Sequence, residues 1–107
     1  MDLLECRNKL DVIDKQIVKL FEERMDICGK VAETKIATGK AVYDAEREKQ
    51  KLEAVSAMAG SDFNQIAVRE LFSQMMSISR KYQYSILAEH GRSAKLGFLQ
   101  LVRLPVE

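Results

Sequence analysis

The chain has no tryptophan, a single proline, a single histidine and two cysteines among its 107 residues. Proline occurs only at position 105, so no imino acid removes a backbone donor from any earlier helix. The one histidine, His90, leaves the body of the chain without the base that a Ser–His or Cys–His nucleophile needs. No cluster of Cys and His has metal-site spacing, and no metal site is expected. Cys6 and Cys28 lie roughly 33 Å apart by helical rise if they share one helix, too far to bridge within a chain. Both read as buried apolar thiols. No run approaches 18 apolar residues, and the opening Met1-Asp2-Leu3-Leu4-Glu5 lacks a basic n-region. Neither a membrane span nor a signal peptide is expected, and the cytoplasm is the expected compartment. An excess of one charge is also missing: 17 Lys and Arg face 16 Asp and Glu. A nucleic-acid binder would carry a lopsided basic face, so no nucleic-acid partner is expected. Whatever chemistry occurs falls to Arg, Lys, Glu and amide side chains.

What the sequence has is helical periodicity. From Asp2 to about Thr38, Leu3, Cys6, Leu10, Ile13, Ile17 and Leu20 recur at three- and four-residue steps, and Ile27 and Val31 resume the pattern. This is a seam that packs on other helices. Arg24 fills the slot between Leu20 and Ile27, and a guanidinium there is costly unless an anion meets it. A helix of that length spans roughly 55 Å, whereas a compact domain of this size is about 35 Å across. Either the helix breaks, with Gly29 the weak spot, or a second copy covers the seam; the dimer is the favoured reading.

The remaining elements follow from cap signals. Asp2 opens helix 1 and Gly39 ends it. Asp44 reads as the N-cap of a second helix that runs to about Met58 and stops at Gly60. Ser61 or Asp62 caps a third, with Phe63, Ile66, Ala67, Phe72, Met75, Met76 and Tyr82 as its apolar positions, expected to reach about Ala88 before Gly91 stops it. The segment from Arg92 crowds apolar residues beside Gly97 and Pro105 and reads as strand-like or irregular. The expected division is a helical domain over 1–90 and an apolar tail over 91–107.

Polar residues fall on the packing faces. Arg24 and Lys35 share one side of helix 1, about 16 Å apart along its axis. Asp44, Arg47 and Glu48 share a face of helix 2; Ser79 and Gln83 stand one turn apart in line with Phe72, Met75 and Met76. Together they are expected to line a pocket for an anionic, hydroxylated molecule. Each has a plainer reading: Arg24 as a core ion pair, Lys35 at a helix C-terminus, Asp44 as a cap, Arg47 and Glu48 as surface charge, Ser79 and Gln83 as satisfied polar residues. The joint spacing decides. Arg7, about 25 Å from Arg24 along the helix, cannot share the pocket of its own chain, but an antiparallel partner would bring its Arg7 there.

The ordered set Arg7-x-x-Leu10-Asp11-x-Ile13-Asp14, Leu20-x-x-x-Arg24, Val31-x-x-x-Lys35 and Val42-x-Asp44-x-x-Arg47-Glu48, with Ser79 and Gln83, resembles the all-helical chorismate mutase family over about residues 3 to 86. The resemblance implies an all-α fold with three helices per chain, intertwined as an antiparallel homodimer with a very long first helix. It implies rearrangement of chorismate to prephenate, a pericyclic reaction that needs no nucleophile, metal or cofactor. Under it, Arg24 and the partner's Arg7 clamp the substrate carboxylates. Lys35 and Gln83 donate to the ether oxygen, where negative charge grows. Glu48 and the Asp44 region hold the ring hydroxyl, and Arg47 and Ser79 complete the shell.

Two alternatives stay open: an isochorismate-pyruvate lyase of the same fold, disfavoured by Glu48, and a non-catalytic helical dimerisation module, which leaves the inward Arg24, Lys35 and Gln83 unexplained. Lys95-Leu96-Gly97-Phe98 resembles the opening strand of a prephenate dehydratase domain. The Gly- and Ser-containing stretch that should follow is not found in the nine residues after Phe98, and no dehydratase activity is expected of these residues. Because Gln83 is a neutral donor and no proposed site residue has a reference pKa between about 6 and 8, a flat activity profile over that range is predicted. A rate assay across buffers checks it, and a steep acid optimum would count against Gln83.

Overall fold

The computed structural model describes the backbone over residues 1–102 and the side chains over residues 1–91. Three helices follow one another: α1 (Leu3–Thr38), α2 (Ala45–Met58) and α3 (Asp62–Val102). Each start uses the cap that the sequence offers. Asp2 accepts from the Glu5 amide at 2.8 Å, Asp44 from the Arg47 amide at 3.0 Å, and the Ser61 hydroxyl from the Asn64 amide at 3.1 Å. These bonds satisfy donors that a helix start leaves without partners. At the end of α1, Gly39 takes a left-handed conformation, φ 72°, and the Lys40 amide returns to the Lys35 carbonyl at 2.9 Å. A side chain pays a steric penalty in that region, so glycine suits the reversal.

The helix α3 lies between the other two. α1 packs on α3 and α2 packs on α3, while α1 and α2 do not pack on each other. The α1 face that meets α3 carries Phe21, Met25, Cys28, Gly29, Ala32 and Ile36, all buried or half-buried. Gly29 does not break the helix. It is the point of close approach: a Cβ built there would lie 3.4 Å from the Tyr82 ring and 3.6 Å from Ile86. The turn between α2 and α3 is braced by Ser56 Oγ donating to the Gln65 carbonyl at 3.1 Å and Gln65 Nε2 donating to the Ala59 carbonyl at 3.3 Å.

The apolar seam of α1 stays outside this packing. Leu3, Leu10, Ile13, Ile17, Leu20 and Ile27 are each about half exposed or more. The buried apolar core of the described residues is confined to Ala32, Val42, Val55 and Met76. Met58, Phe63 and Ile66 are more than 70% exposed, so these positions do not join it. The radius of gyration is 20.4 Å, with a longest extent of 76 Å, against about 13 Å for a compact chain of 100 residues. No helix among the described residues is long and apolar enough to cross a membrane.

The end of α3 corrects the sequence reading. The helix does not stop at Gly91, nor does the chain become strand-like after Arg92: α3 continues to Val102. Glycine inside a helix costs only about 1 kcal/mol relative to alanine, and no proline intervenes before position 105. Residues 103–107, with Pro105, lie outside the described part.

At Gly29 the contact distances allow a methyl group but not a larger side chain. Gly29→Ala is expected to unfold within about 1 kcal/mol of wild type in urea, helix propensity offsetting the tighter contact. Gly29→Leu is expected to lose about 2 kcal/mol or more through overpacking against Tyr82.

Candidate functional site

Because α1 and α2 stand apart on α3, a cleft of about 190 Å³ opens between them. Arg24, Cys28, Val31 and Lys35 supply the α1 wall. Val42, Asp44, Arg47, Glu48 and Lys51 supply the opposite wall, and Met76, Ser79, Arg80 and Gln83 of α3 form the floor. Seven of the eight residues expected at the site therefore line one cleft: Arg24, Lys35, Asp44, Arg47, Glu48, Ser79 and Gln83. The eighth, Arg7, is exposed and is not part of the cleft of its own chain.

The local chemistry holds these groups in place. Lys35 is half-buried, and its Nζ donates to the Val42 carbonyl at 2.6 Å. That bond ties the connector before α2 to the last turns of α1, and an ammonium has three donors, so two remain for a ligand. Asp44 uses Oδ1 to cap α2, and it also faces the cleft. Arg24 is half-buried, with one Nη donating weakly to Cys28 Sγ at 3.8 Å and its Cζ 5.9 Å from the Phe72 ring centroid. No carboxylate pairs with Arg24 among the described residues, so the core-ion-pair reading of this arginine does not hold.

A hydrogen-bonded row runs along the floor. Gln83 Nε2 donates to Ser79 Oγ at 3.0 Å, and Ser79 Oγ donates to Cys28 Sγ at 2.9 Å. Both Ser79 and Gln83 are buried, 5% and 7% exposed. Gln83 Oε1 is buried without a partner among the described residues. A buried amide oxygen left unpaired is unfavourable by about 1–3 kcal/mol. A half-turn of the amide would present Oε1 to the Ser79 hydroxyl, whose single proton would then leave Cys28 Sγ, and would aim the Nε2–H groups the other way.

Charge is concentrated here. Arg24, Lys35, Arg47, Lys51 and Arg80 face only Asp44 and Glu48, an excess of three positive charges in a chain whose net charge is +1. Such a cleft attracts anions and fits them bidentately at its arginines. Arg80 Nη1 pairs with Glu48 Oε1. That hydrogen bond, outweighing the opposing effect of desolvation, holds the Arg80 guanidinium above its ordinary pKa, so it stays cationic. Among the described residues, no group of three His, Cys, Asp or Glu is placed to hold a metal ion.

The sequence reading missed Cys28, Lys51 and Arg80. Spacing held the signal for the first two: Cys28 lies four residues after Arg24 and seven before Lys35, and Lys51 four after Arg47, so each shares a face with a residue already chosen. Arg80 had the same kind of signal, four residues after Met76 and three before Gln83, but its charge beside Ser79 drew no reading.

Comparison with known proteins gives the family. The family model for chorismate mutase type II matches residues 6–84. The bifunctional chorismate mutase/prephenate dehydratase of Buchnera aphidicola subsp. Acyrthosiphon pisum is 33% identical over 96 residues, covering 88% of this chain and 25% of that protein. The protein of the same name from Enterobacter agglomerans is 31% identical over 104 residues, covering 91% of this chain and 27% of its own length. The chorismate mutase of Methanocaldococcus jannaschii is 47% identical over 47 residues, 44% of this chain and 48% of that one. The chain thus spans about a quarter of the length of the bifunctional relatives it matches. Since the family match covers residues 6–84, about three quarters of the chain, the chain belongs to the chorismate mutase type II family.

Proposed function

We propose that this chain rearranges chorismate to prephenate, and that it does so in the cytoplasm as an antiparallel homodimer with two shared sites. The observation that carries the reading is the cleft, where three helices direct cations and a buried amide at one small volume. A dicarboxylate meets that excess of positive charge with favourable electrostatics. Arg24 and Arg47 supply planar forks for its carboxylates. Glu48 accepts from the ring hydroxyl, supported by the Asp44 region and Ser79.

The chemistry asks for little more than this. In one step the ether C–O bond breaks and a C–C bond forms, with no proton transfer. The protein has to hold the substrate in its compact conformer and favour the negative charge that grows on the ether oxygen. Lys35 and Gln83 are the donors for that oxygen, and donors fixed in advance cost no reorganisation at the moment of reaction. Val42 fixes Lys35 and Ser79 fixes Gln83.

The dimer reading rests on the exposed seam. An apolar groove of about 580 Å³ runs between α1 and α3, lined by Ile17, Val18, Leu20, Phe21, Leu71, Phe72, Met75 and Ile78. Exposed apolar surface of this extent marks an interaction site. Arg24 borders both this groove and the cleft, so a second α1 seated antiparallel in the groove would bring its Arg7 to the open side of the cleft.

Loss of chorismate absorbance is the test. Wild type is expected to turn over without additives, and Arg7→Ala and Arg24→Ala are each expected to be nearly inactive. After mixing and re-equilibration, activity should partly recover, because a heterodimer of the two variants has one intact site. An active wild type with no recovery would place Arg7 elsewhere. A wild type inert toward chorismate would overturn the reading, and isochorismate would be the next substrate. Lys35→Ala is expected to lower kcat by about 10²–10³-fold, as loss of one oxyanion donor does elsewhere, measured in the same assay.

A further inference from the structure

The roles above leave Arg80 unused, although its side chain joins three parts of the site. From α3, its Nη1 pairs with Glu48 Oε1 on α2. Its Cζ lies 5.1 Å from the Tyr43 ring centroid, in the connector that also carries Val42. A guanidinium lying over an aromatic face is attracted to it, and that contact restrains the carboxylate paired with the guanidinium. The two paired side chains are only 28% and 22% exposed, so water screens the pair incompletely.

The arrangement answers an electrostatic difficulty. Glu48 is a carboxylate in a cleft meant for a dianion, and alone it would repel the substrate whose hydroxyl it must hold. Arg80 neutralises it. The pairing uses Oε1 and leaves Oε2 without a partner among the described residues, open to accept from a hydroxyl. We infer that Arg80 is a positioning residue: lying over Tyr43 and paired with Glu48, it aims that carboxylate at the substrate hydroxyl and removes its repulsion toward the substrate carboxylates. The inference rests on the mutase reading above. Because Arg80 acts through Glu48, its loss falls on hydroxyl recognition, and so on KM more than on kcat.

A double-mutant cycle on the full chain tests this, with kcat and KM for chorismate measured for wild type, Arg80→Gln, Glu48→Gln and the double variant. Arg80→Gln is expected to lower kcat/KM by roughly 10- to 100-fold, as loss of a charge-assisted hydrogen bond does, with most of the change in KM. In the Glu48→Gln background the same substitution is expected to cost less than about threefold. Effects that multiply in the double variant would overturn the inference, because Arg80 would then act independently of Glu48. An unchanged or raised kcat/KM for Arg80→Gln would also overturn it. If thermal melting shows Arg80→Gln unfolded at the assay temperature, the cycle is run with Arg80→Lys, which keeps the charge but not the fork, and the same non-additivity decides. A wild type inert toward chorismate would overturn the mutase reading and this role with it, whereas an active wild type with multiplying effects would overturn this role alone.

Discussion

The contact between α1 and α3 at Gly29 is the constraint on which the rest depends. α1 and α2 do not pack on each other, so α3 sets where each of them stands. The absent side chain at Gly29 brings Tyr82 and Ile86 against the α1 backbone. That approach places Cys28 within hydrogen-bond reach of Ser79, and Ser79 in turn holds Gln83. Were α1 held farther out, the floor of the cleft would lose its link to the wall that carries Arg24 and Lys35. The cleft is the gap left when two helices share a third without meeting.

Within that gap the protein has assembled charge at a cost to itself. Five cations around two carboxylates repel one another, and the unpartnered Gln83 oxygen adds the penalty of an unsatisfied buried group. Such local conflicts with stability are expected where a site is built for a ligand rather than for the fold. The bonds that fix the donors, from Lys35 to the Val42 carbonyl and from Gln83 to Ser79, keep them oriented despite that conflict. Preorganisation of this kind is what a reaction without proton transfer or covalent intermediates needs.

Much of this was legible in the sequence, because the signals were local. Asp2, Gly39, Asp44 and Ser61 announced the helix ends through caps, whose chemistry spans three or four residues. Arg24 and Lys35 announced the cleft because cations on an apolar face demand a reason. What stayed hidden was tertiary. Gly29 read as a weak spot because its use, the approach of Tyr82, depends on a residue more than fifty positions away. Gly91 read as a stop, yet a single glycine is a small penalty in a helix with no proline near it. Cys28 read as an apolar thiol because nothing in its own helix reveals Ser79 as its neighbour. The reach of Arg80 to Glu48 crosses from α3 to α2, and no periodicity encodes it.

Gly39 gives the connector a constraint of a different kind. A Cβ built there would meet no heavy atom within 4 Å, so the position looks free to vary. Its left-handed φ of 72° makes it otherwise, since most side chains are unfavourable in that region by about 1–2 kcal/mol per residue. The turn it permits carries Val42 back over Lys35 and sets the direction in which α2 begins. Substitution at Gly39 would therefore act on the site without touching it, moving the carbonyl that steers an ammonium. In a survey of mutational tolerance, this exposed residue with no neighbours would score beside the site residues themselves.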